Sequence, residues 1–142
     1  MNDEKRHVSE VAAYLVGREI ERVSVHDGTM IRVSLLHRAE EAGKIREGFF
    51  VRGGVWRLEA PDGFLVSNFT AQPDEIRAAV ERLNGQLIVG VEVGDDSGLV
   101  VRTDEFRIEV FPVSNETDNW SLHGDRVVAV CGPNGQFRIR RE

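Results

Sequence analysis

Apolar side chains recur along this chain with two periods, and the switches between them mark out its elements. Val8, Val11, Ala12 and Leu15 follow the three-and-four spacing of a helix buried on one side, with Asp3 or Ser9 as the N-cap and Gly17 as the stop. Ile76, Ala79, Val80 and Leu83 repeat that stripe behind Pro73-Asp74-Glu75, where acids in the first turn suit the helix dipole, and Gly85 closes it. Elsewhere the period falls to two. Alternation predicts strands at Glu21-Val23-Val25, Ile31-Val33-Leu35, Phe49-Val51, Val55-Glu59 and Phe64-Phe69. It continues at Val89-Val91-Val93, Leu99-Val101, Phe106-Phe111, Trp120-Leu122, Val127-Cys131 and Phe137-Arg140. His37 to Arg46 fits a helical turn or a loop, and Pro112 to Asp118 reads as a polar loop.

The pattern is stated twice. Leu15-Val16-Gly17-Arg18-Glu19-Ile20 with Val23 and Val25 returns 68 residues later as Leu83-Asn84-Gly85-Gln86-Leu87-Ile88 with Val91 and Val93. Trp56-Arg57-Leu58 returns as Trp120-Ser121-Leu122 at an offset of 64. Hairpin parity agrees: keeping Val23 and Ile31 on one side requires an odd loop near His26-Asp27-Gly28, and Gly94-Asp95-Asp96-Ser97-Gly98 is odd as well. These features predict an α+β fold. Two tandem copies of a helix plus antiparallel β-meander, about 1–71 and 72–142, would pack as one pseudo-symmetric, mostly-β domain, a barrel or sandwich with two helices. Each half alone has too small a core to stand by itself.

Composition narrows the class of protein. With 41% hydrophobic and 30% charged residues in 142, the chain reads as globular, and no apolar run approaches a membrane span. The charged start, Met1-Asn2-Asp3-Glu4-Lys5-Arg6, does not read as a secretory signal. A lone cysteine suits a reducing compartment, so a cytoplasmic location is expected. A net charge of −6 argues against nucleic acid as the partner. Between residues 86 and 125, nine acids (Asp95, Asp96, Asp104, Glu105, Glu116 and Asp118 among them) meet only Arg102 and Arg107, whereas four arginines follow after 125.

Catalytic and metal chemistry find little purchase. His7, His26, His37 and His123 have no metal-ligand spacing, and Cys131 ends an apolar alternation that points it inward, so neither a metal nor a cofactor is expected. The pairs Asp95-Asp96 and Asp104-Glu105 flank one strand and should stand roughly 25 Å apart at about 3.3 Å per residue, too far to share an ion. Nucleotide-loop and nucleophile-elbow motifs are missing, and no catalytic residue is assigned. Trp56 and Trp120 read as paired core anchors, or as an aromatic pocket between the halves. Glu92, Arg102, Arg107 and Glu109 read as ion pairs on a wet sheet face.

The stretch 83–137, with Leu-x-Gly, Trp-x-Leu and Cys131-Gly132-Pro133-Asn134-Gly135, resembles a group of small actinobacterial proteins, a resemblance that implies no activity. In style the chain is similar to immunity proteins of bacterial toxin systems: small, acidic and without catalytic motifs. The functional expectation is therefore a non-catalytic protein-binding module, an immunity-type inhibitor that docks a basic protein partner. Its dock would be Asp95, Asp96, Asp104, Glu105, Glu116 and Asp118, with Trp120 at the edge. The alternative is a small-molecule binding or hydrolytic domain with a pocket between the halves. Titratable groups around His26, His37 or His123 gathered in such a pocket would favour it.

Overall fold

The computed structural model describes residues 3–36, 47–69 and 71–141, so the segment His37 to Arg46, and His37 with it, lies outside the described residues. Helix α1 (Asp3–Leu15) buries Val8, Val11, Ala12 and Leu15. Helix α2 (Pro73–Val80) starts with Pro73, and the Glu75 carboxylate accepts the Gln72 N–H at 3.2 Å; a 3-10 turn, Glu81–Leu83, extends it. Gly17 and Gly85 leave these helical segments at φ +88° and +86°, the left-handed conformation that costs a side chain energy and glycine little.

Eleven strands follow the alternation: β1 (Ile20–His26), β2 (Met30–Leu35), β3 (Gly48–Val51), β4 (Val55–Ala60), β5 (Gly63–Ser67), β6 (Ile88–Val93), β7 (Leu99–Thr103), β8 (Arg107–Phe111), β9 (Trp120–His123), β10 (Val127–Cys131) and β11 (Phe137–Arg141). They form two antiparallel sheets, ordered β1-β2-β3-β9-β10-β11 and β5-β4-β8-β7-β6. The fold is α+β, mostly β and sandwich-like. Each sheet takes strands from both halves of the chain. β3 pairs with β9, and β4 pairs with β8. The helices cross over too: α1 packs on β6, β9, β10 and β11, and α2 on β1 and β5.

Pairings in the two halves correspond residue for residue. Val23 faces Val33 and Val25 faces Ile31; Val91 faces Val101 and Val93 faces Leu99. Both hairpin loops are therefore odd, the first being Asp27–Thr29 rather than His26–Gly28. Register breaks fall between Ile20 and Arg22 and between Ile88 and Gly90. Where the halves meet, Gly17 N–H donates to Ile88 O at 2.7 Å and Gly85 N–H to Ile20 O at 2.8 Å. Ile20 N–H donates to Gln86 O at 2.8 Å and Ile88 N–H to Arg18 O at 2.9 Å.

The inward positions of both sheets merge into one core containing Trp56, Leu58, Phe49, Leu122, Ile108 and Trp120. Trp56 and Trp120 are fully buried. The Trp56 indole N–H donates to Thr29 O at 2.8 Å and that of Trp120 to Ser97 O at 2.9 Å, so each ties the hairpin loop of the opposite sheet. Hydrogen bonds of this kind contribute about 1 kcal/mol each, and burial of the rings contributes more.

Candidate functional site

Every second residue of these strands points away from the core, and the two outer faces differ in charge. On the five-stranded sheet the arginines sit beside glutamates. Arg102 Nη2 lies 2.7 Å from Glu92 Oε1, Arg57 Nη2 lies 2.8 Å from Glu59 Oε1, and Arg107 Nη2 lies 3.7 Å from Glu109 Oε1. The ion pairs expected of Glu92, Arg102, Arg107 and Glu109 are thus present; the second runs along β8 rather than across strands.

On the six-stranded sheet the outward residues are Arg22, Ser24 and His26 on β1, then Met30, Arg32 and Ser34 on β2, with Phe50 on β3. Across the junction between the halves they continue as Ser121 and His123 on β9, Val128 and Val130 on β10, and Arg138 and Arg140 on β11. None of the strand residues that line the groove is a carboxylate; Glu21 lies beside Arg22 at the β1 bulge, outside the lining. The face is hollow: Val128 and Val130 are only 3% and 5% exposed although they belong to no part of the contiguous core. The hollow forms a groove of about 530 Å³ lined from both halves, a size that suits a small ligand.

Register sets the groove's internal order. Arg32 lies opposite Phe50, Phe50 opposite Ser121, and Ser121 opposite Val130, so a single row crosses the floor. Above Phe50 the guanidinium carbons of Arg32 and Arg52 lie 5.9 and 5.7 Å from the ring centroid, and the His26 ring lies 5.9 Å away. Neither Arg32 nor Arg52 takes part in a salt bridge among the described residues. Each histidine is held by a serine two residues earlier on its own strand, Ser24 Oγ to His26 Nε2 at 3.0 Å and Ser121 Oγ to His123 Nε2 at 2.8 Å. Asp27 and Asp118 lie at one end of the groove, and Asp118 is paired with Arg138 at 3.1 and 3.3 Å.

The acidic loops are divided. Asp95 and Asp96 in the β6–β7 loop, and Glu116 and Asp118 in the β8–β9 loop, lie toward one end of the sandwich, where Ser97 Oγ and Ser114 O bond the Pro133–Gly135 turn. Asp104 and Glu105 sit in the β7–β8 turn at the opposite end of β7. Lys5 lies 2.6 Å from Asp95 and holds its carboxyl below the ordinary value, first through the hydrogen bond and then through charge. The Asp96 carboxylate accepts the Gly98 N–H at 2.9 Å. Trp120, expected at the edge of this dock, is fully buried and has no side-chain surface to offer a partner; its place beside Leu122 in an inward alternation is the reason.

Cys131 is buried as well, and burial, with a smaller contribution from Asp118, pushes its thiol up to about 12, which keeps it protonated and unreactive at neutral pH. Among the described residues no cluster of three metal-binding side chains occurs. Comparison with protein-family models, curated proteins and solved structures gives no match.

His26 and His123 were named as candidates for such a pocket; Arg32, Phe50, Arg52 and Ser121 escaped sequence reasoning because the lining comes from six strands of both halves. Cations at alternate positions in Arg138-Ile139-Arg140, and the repeated Ser-x-His of Ser24-Val25-His26 and Ser121-Leu122-His123, were the available signals.

Proposed function

We propose that this protein is a binding module for a small anionic ligand, and that the groove on the six-stranded sheet is its working surface. The observation that carries this reading is the contrast between the outer faces: Arg57, Arg102 and Arg107 each beside a glutamate on one sheet, Arg32 and Arg52 around Phe50 in no salt bridge among the described residues on the other. Like charges held together in a hollow repel one another, and an anion relieves that repulsion. The reading follows the pocket-between-halves alternative, with arginines in the lining. It is further supported by the matching inner registers, which favour two copies of one module whose outer surfaces diverged.

Inorganic pyrophosphate is a suitable probe. It is expected to shift backbone amide resonances of β2, β3 and β9 at low salt, and the shifts should weaken as salt rises. Arg32→Gln with Arg52→Gln should abolish them, while Arg57→Gln with Arg102→Gln on the other sheet should not. Equal effects from the two pairs would defeat the proposal. Docking of a basic protein through the acidic loops draws support from Asp96 and Glu116 at one end. It predicts a partner captured at low salt and lost with Asp95→Lys plus Asp96→Lys. Hydrolysis draws support from the Ser121–His123 contact, since a hydroxyl beside an imidazole is the geometry of an activated nucleophile. It would require turnover of p-nitrophenyl acetate or phosphate that Ser121→Ala removes; no turnover is expected.

A further inference from the structure

Building on the anion-binding reading, we infer that the ligand is a mononucleotide: a planar heteroaromatic ring joined through a sugar to a phosphate. Phe50 is the reason to look beyond a simple anion. It is a partly exposed aromatic ring in the middle of a cationic floor, with Arg32, Arg52 and His26 around it. A bare phosphate gains nothing from a phenyl ring. A nucleobase gains by stacking on the ring, and guanidinium planes stack on bases as readily as they bind phosphate.

The groove is also polarised. Asp27, at the His26 end, offers a carboxylate to ring N–H or sugar hydroxyl donors, whereas Arg140 lies toward the opposite end, in register with Val128 and His123. Arg32 lies opposite Phe50 on the neighbouring strand, so a base over Phe50 brings its phosphate within reach of the Arg32 guanidinium, while Arg140 lies three strands beyond Phe50 on the other side. The same gradient argues against a longer strand, whose next phosphate would have to pass Asp27 and Asp118. The volume of about 530 Å³ accommodates one nucleotide unit.

The test titrates the full chain by calorimetry with adenosine 5′-monophosphate, ribose 5-phosphate and adenosine, and with a six-nucleotide single-stranded RNA. Adenosine 5′-monophosphate is expected to bind at least tenfold more tightly than either fragment. Phe50→Leu should reduce it to the level of ribose 5-phosphate and leave ribose 5-phosphate itself unchanged. Arg32→Gln should weaken both phosphates and spare adenosine. Thermal unfolding of each variant shows whether it retains the fold, and Phe50→Met serves as a second test of the ring if Phe50→Leu unfolds. Equal affinity for adenosine 5′-monophosphate and ribose 5-phosphate, or no effect of losing the ring, overturns the inference while leaving the groove an anion site. Failure of both phosphates to bind overturns the anion reading as well. RNA binding more than a hundredfold tighter than the mononucleotide overturns the single-unit ligand in favour of a strand.

Discussion

On the six-stranded sheet Arg32 and Arg52 flank Phe50 without a carboxylate partner among the described residues, whereas on the five-stranded sheet Arg57, Arg102 and Arg107 each sit beside a glutamate. Beneath these surfaces the two sheets are built alike. Val51 meets Trp120 as Val110 meets Trp56, and each tryptophan reaches a loop carbonyl across the sandwich. Inner positions are constrained by close packing, where a changed volume is felt at once, while outer positions are free to change charge at little cost to stability. A difference confined to the outside is therefore a better guide to function than any feature of the core.

If the inner equivalence is real in energy as well as geometry, Trp56→Ala and Trp120→Ala should each lose about 3–5 kcal/mol in urea unfolding, since each empties a full ring volume and takes an indole donor from a loop carbonyl. One of them proving neutral would break the comparison at its base. Smaller, and different between the sheets, is the effect of adding a methyl group to an outer glycine. At Gly48, with φ +147°, a Cβ would stand 1.9 Å from the Val33 carbonyl oxygen, so Gly48→Ala should cost about 2 kcal/mol or more. At Gly90 the nearest atoms belong to the movable Arg102 guanidinium, 2.6 Å away, and Gly90→Ala should be far milder. Thermal melts of the two variants side by side provide the measurement.

The next contrast lies at the seam. Arg18 and Glu47 form a buried ion pair, and the Tyr14 hydroxyl donates to Glu47 Oε2 at 2.7 Å; the residue 68 after Arg18 is Gln86, whose Oε1 accepts from Thr103 Oγ1 at 3.1 Å. Burial, then the bond to Glu47, pushes the Tyr14 phenol up to about 12 from 10.0. The folded state thus keeps a proton that the unfolded chain releases earlier. Its contribution is complete below pH 10 and disappears as pH climbs to about 12. Tyr14→Phe should flatten this part of the alkaline stability profile; an unchanged slope would remove Tyr14 from the explanation. Least of all, a Glu92→Ala/Arg102→Ala double-mutant cycle should give a coupling under about 1 kcal/mol, because the pair is exposed and screened. A larger value would mean that the paired face is structural rather than simply neutral.

Alternation and stripes were legible because they follow from which side of an element meets water. Val8 to Leu15, Val23 opposite Val33 and the odd hairpin loops could all be read that way, as could the placement of Asp95-Asp96 and Asp104-Glu105 at opposite ends of β7. Which strand lies beside which could not. Phe49 alternates in the same manner whether its neighbour is β9 or β4, so the exchange of strands between halves has no local signature. The groove was hidden for that reason, since Phe50 and Ser121 become neighbours only through that pairing. The Lys5–Asp95 contact was equally hidden, because 90 residues separate the pair and nothing local announces it.

The interleaving of halves carries a liability. Between β5 and α2 only a short segment, residues 68–72, joins the two sets of strands. A second chain can supply β6 to β11 and α2 in place of the first chain's own, with every register and both indole bonds preserved. Refolding at high protein concentration should accordingly yield a reciprocal dimer, separable by size yet identical in its contacts, and shortening that segment should make the dimer the dominant product.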